Sequence, residues 1–188
     1  MNRVHKKFSR RARVATGGAV LAVVALAGFG AVSANASAPA TTAAATSAVA
    51  PDRATTTSTH LTIDAATRAA QAALDAAEQE NQRVTVAVVD RNGDTVVTLR
   101  GDGAGPQSYK SAERKAFTAV AWNAATSQLA ERLEQAPNLK DIPGTLFLAG
   151  GVPVTADRAP IAGIGVAGAP SGALDEKFAQ AGANAIAR

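Results

Sequence analysis

Apolar positions along this chain fall into blocks whose spacing changes from helical to alternating and back. Thr62 stands as a candidate N-cap, and Ile63, Ala66, Ala70, Ala73, Leu74 and Ala77 recur at helical spacing as far as about Glu80. That face is dominated by Ala, so the helix can approach a neighbour closely. It also carries few large side chains, which predicts little burial within one subunit and suits contacts between chains. Two β-branched runs follow, VTVAVV at 84–89 and TVVTL at 95–99, joined across Asp90-Arg91-Asn92-Gly93-Asp94. Asn-Gly supplies the positive φ angles of a tight hairpin.

Gly101-Asp102-Gly103-Ala104-Gly105-Pro106 cannot continue a strand and predicts a flexible loop, after which Ser108 opens a second helix. Ala112, Ala116, Phe117, Val120 and Ala121 mark its buried side. A further helical stretch, 127–135, ends before Pro137. Leu146 to Ala149 reads as a short buried strand, Gly150-Gly151 as its turn and Ile161 to Val166 as a strand pairing back. Ser171 caps a last helix from Gly172 to Ala187. The order α-β-β-α-α-β-β-β-α, with hairpin-length connections, predicts one α+β domain whose antiparallel five-stranded sheet is flanked by helices. It is not a doubly wound βαβ pattern.

The segment ahead of this domain changes the charge balance. Residues 1–16 are polycationic, residues 17–32 (GGAVLAVVALAGFGAV) are apolar but diluted with Gly and Ala, and Ala34-Asn35-Ala36 is a cleavage pattern. Residues 1–36 therefore read as a signal peptide, and Ser9-Arg10-Arg11 adds a twin-arginine feature. Sixteen diluted residues fall short of the roughly 20 needed to span a bilayer. Residues 37–59 contain ten Ser/Thr, eight Ala and two Pro, and read as a disordered tether to a domain at 60–188. The expected location is secreted, extracellular or associated with the cell wall. Six of the 19 Lys and Arg lie in the leader and all 15 acids lie beyond it, so the mature chain is slightly acidic. A nucleic-acid partner is not expected.

The mature chain has no Cys and no Met, and His60 is its one imidazole. Disulfides, Cys/His zinc sites, iron–sulfur clusters and a Cys–His nucleophile are thereby excluded. Gly163-Ile164-Gly165-Val166-Ala167-Gly168 matches G-x-G-x-x-G by letter, but it lies inside a strand. Its plainer reading is a strand over which another backbone or a flat ligand lies closely. The helix start at 168–172 could receive an anion or merely be capped.

On the second helix Arg114, Thr118 and Trp122 stand at i, i+4 and i+8, and Tyr109 and Lys110 stand at its start beside the Gly-rich loop. A cation, a hydroxyl and a large aromatic in line suit a flat amphiphilic ligand with acidic groups; the alternative is a packed Trp and a solvated Arg. Asp75 with Glu78, and Glu131 with Glu134, each set two carboxylates one turn apart, a weak oxygen pair for iron or simply a solvated face.

Three stretches together resemble the secreted haem-binding proteins of the GlcG/HbpS type, also labelled haem-degrading domains. They are VTVAVVDRNGDTVVTLRGDGAGPQSYKSAERKAFTAVAWNA (84–124), IPGTLFLAGGVPV (142–154) and IAGIGVAGAPSGALDEKFAQAG (161–182). The resemblance implies a profilin-like sheet with helices on both faces, a homo-oligomer (an octamer), haem as cofactor, and iron- or redox-responsive sensing with a membrane sensor histidine kinase. It places the haem-associated helix around Lys115-Ala116-Phe117-Thr118, makes Thr118 the leading haem contact, and matches an iron site to Asp75 and Glu78; with the stripe read above, the expected haem-binding set is Thr118, Arg114, Trp122, Tyr109 and Lys115. Among usual axial ligands the mature chain offers only His60 and Tyr109. Weak, exchangeable binding is the expectation, in a binding and sensing protein more than an enzyme. The alternatives are a haem-degrading enzyme and a binder of another tetrapyrrole such as a corrinoid.

Overall fold

The structure, a computed structural model, describes residues 47–187. The leader at 1–36 and the start of the tether lie outside the described residues. Residues 50–60 are exposed and carry one 3₁₀ turn at Asp52–Ala54.

The body from there on orders as α1 (Ile63–Gln79), β1 (Thr85–Asp90), β2 (Thr95–Arg100), α2 (Pro106–Trp122), α3 (Thr126–Glu131), β3 (Gly151–Ala156), β4 (Ala159–Ala167) and α4 (Gly172–Ile186). The four strands form one antiparallel sheet in the order β2-β1-β4-β3. Helices do cover both faces, as expected, but there are four strands among the described residues and not five. The 146–149 run is not a strand: it pairs in no ladder, and its Leu146 N–H is taken by the Thr118 side chain of α2. The third strand begins at Gly151 instead. Pro153 lies within it, which an edge strand tolerates because its outer side needs no N–H donor. Its hairpin turns at Asp157 and Arg158, both with positive φ (49° and 67°), a turn with no Gly to mark it.

Alternation along β1 and β4 sorts the two cores. Val86, Val88, Ile164 and Val166 face α1 and α4, where they meet Ala66, Ala69, Ala70, Ala73, Leu74, Ala77, Phe178 and Ala179. The Ala face of α1 is thus fully buried inside the chain. It is held close to α4 at Gly182, where a Cβ would come within 2.5 Å of the Ala69 carbonyl oxygen. The idea that this face is left for contacts between subunits is corrected accordingly: small residues here serve helix-to-helix approach within one chain.

On the other face Ala87, Val89, Gly163 and Gly165 receive α2 alone. A Cβ on Gly163 or Gly165 would lie 2.1 Å from the carbonyl oxygen of Ala116 or Ala112. Of the two readings of the Gly-rich strand, the backbone of α2 is what lies over it. The helix starts at Pro106 and not at Ser108, with Pro in the first turn, where its missing N–H costs nothing. Ser108 is buried there and its hydroxyl shares a 2.7 Å bond with that of Thr85. The β1–β2 turn forms as predicted, although Gly93 alone takes positive φ (94°); the Asp90 carboxylate accepts from the N–H groups of Asn92 and Asp94.

Candidate functional site

The flat seating of α2 on the glycine face decides which of its side chains point where. Lys115, Ala112 and Ala119 turn inward, whereas Arg114 is exposed and Trp122 half-buried on the outer side. Thr118 lies between these extremes in sequence position but is fully enclosed. What encloses it is the segment 142–150, which runs over α2 between two glycines of positive φ, Gly144 (82°) and Gly150 (128°).

Three successive residues of that segment meet the three residues of the predicted stripe. The Arg114 guanidinium donates to the Thr145 carbonyl. The Leu146 N–H donates to Thr118 Oγ1 at 2.7 Å, and the same hydroxyl donates to the Arg114 carbonyl at 2.7 Å. The Phe147 ring stands edge-on to Trp122, centroids 5.6 Å apart and planes at 73°. The stripe is real, therefore, and its partner within the chain is a peptide strap. Leu148 and Ile142 leave apolar surface on the outside, 58% and 40% exposed.

Lys115 is not part of this outer face. Its ammonium is buried, donating to Asp175 Oδ2 at 2.7 Å and to the Val166 carbonyl at 3.0 Å. Those donors are committed to joining α2 to β4 and α4, so Lys115 is withdrawn from the haem-facing set on physical grounds. Asp175 Oδ1 accepts from the Ala169 N–H at 3.0 Å. Burial pushes the Asp175 carboxyl above its ordinary range, against the opposing pull of Lys115 and of the Ala169 and Gly168 amides. Gly150 is required beside this pair, since a Cβ there would stand 2.7 Å from the ammonium nitrogen.

Asp175 and Ser171, whose hydroxyl accepts from the Leu174 N–H, together close the start of α4. The anion reading of 168–172 gives way to the capped one. Next along α4, Glu176 accepts from Ser127 Oγ (2.5 Å), the Ser127 N–H (3.0 Å) and the Gly150 N–H (3.2 Å), capping α3 from outside and holding the far end of the strap. Asp175, Glu176 and Phe147 were all missed in the sequence. Two acids near the start of a helix, Asp175 in its first turn, look like ordinary dipole partners, and nothing local marks their distant contacts.

Tyr109 sits one turn into α2, 39% exposed, with the Lys110 ammonium 5.5 Å from its ring centre. It lies on a different side of α2 from the stripe, five residues before Arg114. His60 lies beside the β1–β2 turn and not on the stripe, its Nε2 2.6 Å from Ser58 Oγ and its Nδ1 3.7 Å from Asp90. Asp75 and Glu78 are both exposed on α1, Asp75 accepting from Gln71 at 2.7 Å. Among the described residues no group of three His, Cys, Asp or Glu gathers as a metal site. The two carboxylates do not by themselves fit a closed iron site within one chain.

Residues 61–184 match the model of a family described as haem degrading protein HbpS-like. The chain belongs to the HbpS-like family. Two HbpS crystal structures are similar over most of it. One is a Streptomyces reticuli double mutant, in which two glutamates are replaced by aspartate, at 69% identity, TM-score 0.75, covering 78% of this chain and 99% of that one. The other, HbpS itself, stands at 70% identity, TM-score 0.74, covering 75% and 100%. A complex of PduOC with haem is similar at 28% identity, TM-score 0.64, covering 69% and 96%. No curated protein matches significantly. The matched range, 61–184, spans the four-stranded sheet, α1 to α3 and most of α4.

Proposed function

We propose that this chain is an exported haem-binding protein that takes up haem on the outer face of α2. The observation that carries the reading is an exposed Arg114 two helical turns from a half-exposed Trp122, on a domain whose family and whose PduOC relative are named for haem. A guanidinium suits a propionate and an indole suits the porphyrin face. The residues fit the periphery of the group well. They fit the iron less simply, because Thr118 spends its hydroxyl inside the chain and Tyr109 stands apart from the stripe. Bound haem would supply a redox-active iron; the chain's own residues bind and orient its edge.

Binding of this kind is weak and exchangeable, which supports a sensing or scavenging role over a fixed cofactor. The finer reading is an iron- or redox-responsive accessory of a membrane sensor histidine kinase, secreted by way of the 1–36 leader and acting as a homo-oligomer, with eight copies proposed. Asp75 and Glu78 add a surface oxygen pair at which iron would be held weakly and mostly by water. Breakdown of haem is the second reading, favoured by the family's description.

Titration of the mature protein with haemin tests the first reading. Trp122 is the only Trp in the chain, so quenching of its fluorescence reports haemin uptake, and the variants below locate it. Arg114→Ala is expected to weaken haemin about tenfold, the size of one charge-assisted contact. His60→Ala should change affinity by less than about threefold, since ordering that exposed segment on binding is unfavourable. A large loss in His60→Ala with none in Arg114→Ala would move the site away from α2.

A further inference from the structure

The face of α2 that suits haem is covered at its centre, Thr118, while Arg114 stays exposed and Trp122 half-buried. Arg114, Thr118 and Trp122 are engaged in turn by the Thr145 carbonyl, the Leu146 N–H and the Phe147 ring. We infer that residues 145–147 are an internal competitor for haem, a strap that must lift from α2 for the porphyrin to seat against Thr118. The inference rests on the haem reading above and deepens it, because it makes uptake conditional on a local rearrangement.

Lifting the strap would expose Thr145 and Phe147, which are 2% and 4% exposed in place, but would leave the sheet intact. It is outside the sheet, so its departure breaks no ladder bond. Both of its ends are glycines with positive φ, Gly144 and Gly150, which place sharp turns where the segment leaves the body. Its grip on the stripe comes from two hydrogen bonds and one aromatic pair, all made to side chains of α2. The far end is pinned separately by Glu176 at the Gly150 N–H, and the near end by a turn in which Thr145 Oγ1 donates to the Ile142 carbonyl at 2.8 Å. A lifted strap would therefore swing between fixed points.

The chemistry of the exchange is balanced in kind. Arg114 would trade a peptide carbonyl for a carboxylate, Trp122 one aromatic edge for a larger ring face, and Thr118 would release an amide and regain a free oxygen lone pair. A ligand that must displace an internal occupant binds with an affinity reduced by the fraction of molecules in which the strap is open. Loosening the strap should then tighten haem, the opposite of what loss of an ordinary contact residue does.

The test uses the mature protein, haemin as probe, and hydrogen exchange at the Leu146 amide beside Trp122 fluorescence. In the free protein that amide is expected to be protected; at saturating haemin its protection should fall at least about tenfold, while amides of β1 and β4 keep theirs. Phe147→Ala, which removes the ring from Trp122, is expected to bind haemin about tenfold tighter than the parent. Thr145→Val loosens only the near turn and covers the case in which Phe147→Ala fails to fold; it should shift affinity in the same direction by a smaller factor. Unchanged Leu146 protection at saturation, or weaker binding by both variants, overturns the strap while leaving haem binding in place. No haemin binding by the parent or either variant overturns both.

Discussion

Replacing Asp175 by Ala is expected to destabilise the protein by about 3–5 kcal/mol, because it leaves the Lys115 ammonium buried without its counter-charge. Both side chains are about one-twentieth exposed, so solvent cannot screen the loss. Melting or denaturant unfolding of the purified variant measures it. The double variant Lys115→Met, Asp175→Leu should recover most of the loss, since a buried pair contributes little net stability over apolar groups of similar volume. A double variant as unstable as Asp175→Ala would show that the geometry of the pair, and not its charge balance, holds α4 to α2. The pH dependence follows from the raised carboxyl. The folded chain keeps the Asp175 proton to higher pH than the unfolded chain, whose ordinary value is 3.8, so the group's contribution is greatest below that value and falls as pH rises through the folded one. The advantage of the parent over Asp175→Asn should accordingly narrow as pH is raised from about 4.

A second large effect is expected at the glycine face. Gly165→Val should cost about 4 kcal/mol or more, or prevent folding, because its Cβ would lie 2.1 Å from the Ala112 carbonyl oxygen and 2.5 Å from the Ala116 nitrogen. The obstacles are helix backbone atoms that cannot rotate aside, so the whole of α2 would have to rise from the sheet. Gly105→Ala provides the contrast. Its Cβ would meet only the Gln107 side-chain end, which can move, and the cost should stay under about 1 kcal/mol. Equal destabilisation by the two changes would mean that α2 is not seated as described. Thermal melts of both variants decide the point, and Gly165→Val should also abolish haemin binding by displacing the stripe.

The helix and strand periods were legible because each is written by neighbours in sequence. Thr62 and Ser171 cap α1 and α4 through the side-chain acceptors anticipated for them, and the Asn-Gly turn joins β1 to β2. The fifth strand failed for a physical reason. An apolar run such as Leu146-Phe147-Leu148 has the same appearance whether it pairs in a sheet or lies on a helix, and the hydroxyl that takes its Leu146 N–H, Thr118, is 28 residues away. The β3–β4 turn was hidden because Asp157-Arg158 takes positive φ without Gly.

The candidate site divides in the same way. That Arg114, Thr118 and Trp122 share a stripe follows from 3.6 residues per turn and needs no structure. What the stripe touches, and that Lys115 one residue along is a buried ion-pair partner and not a surface cation, depends on which side of α2 lies against Gly163 and Gly165. Sequence alone determined the local periods, the caps, the lack of Cys and the stripe itself, because these depend on residue type and spacing. Only tertiary structure decided the strap, the Lys115–Asp175 pair and the burial of Thr118, because each joins residues that are distant in the chain and meet only when α2 is pressed flat onto a glycine surface.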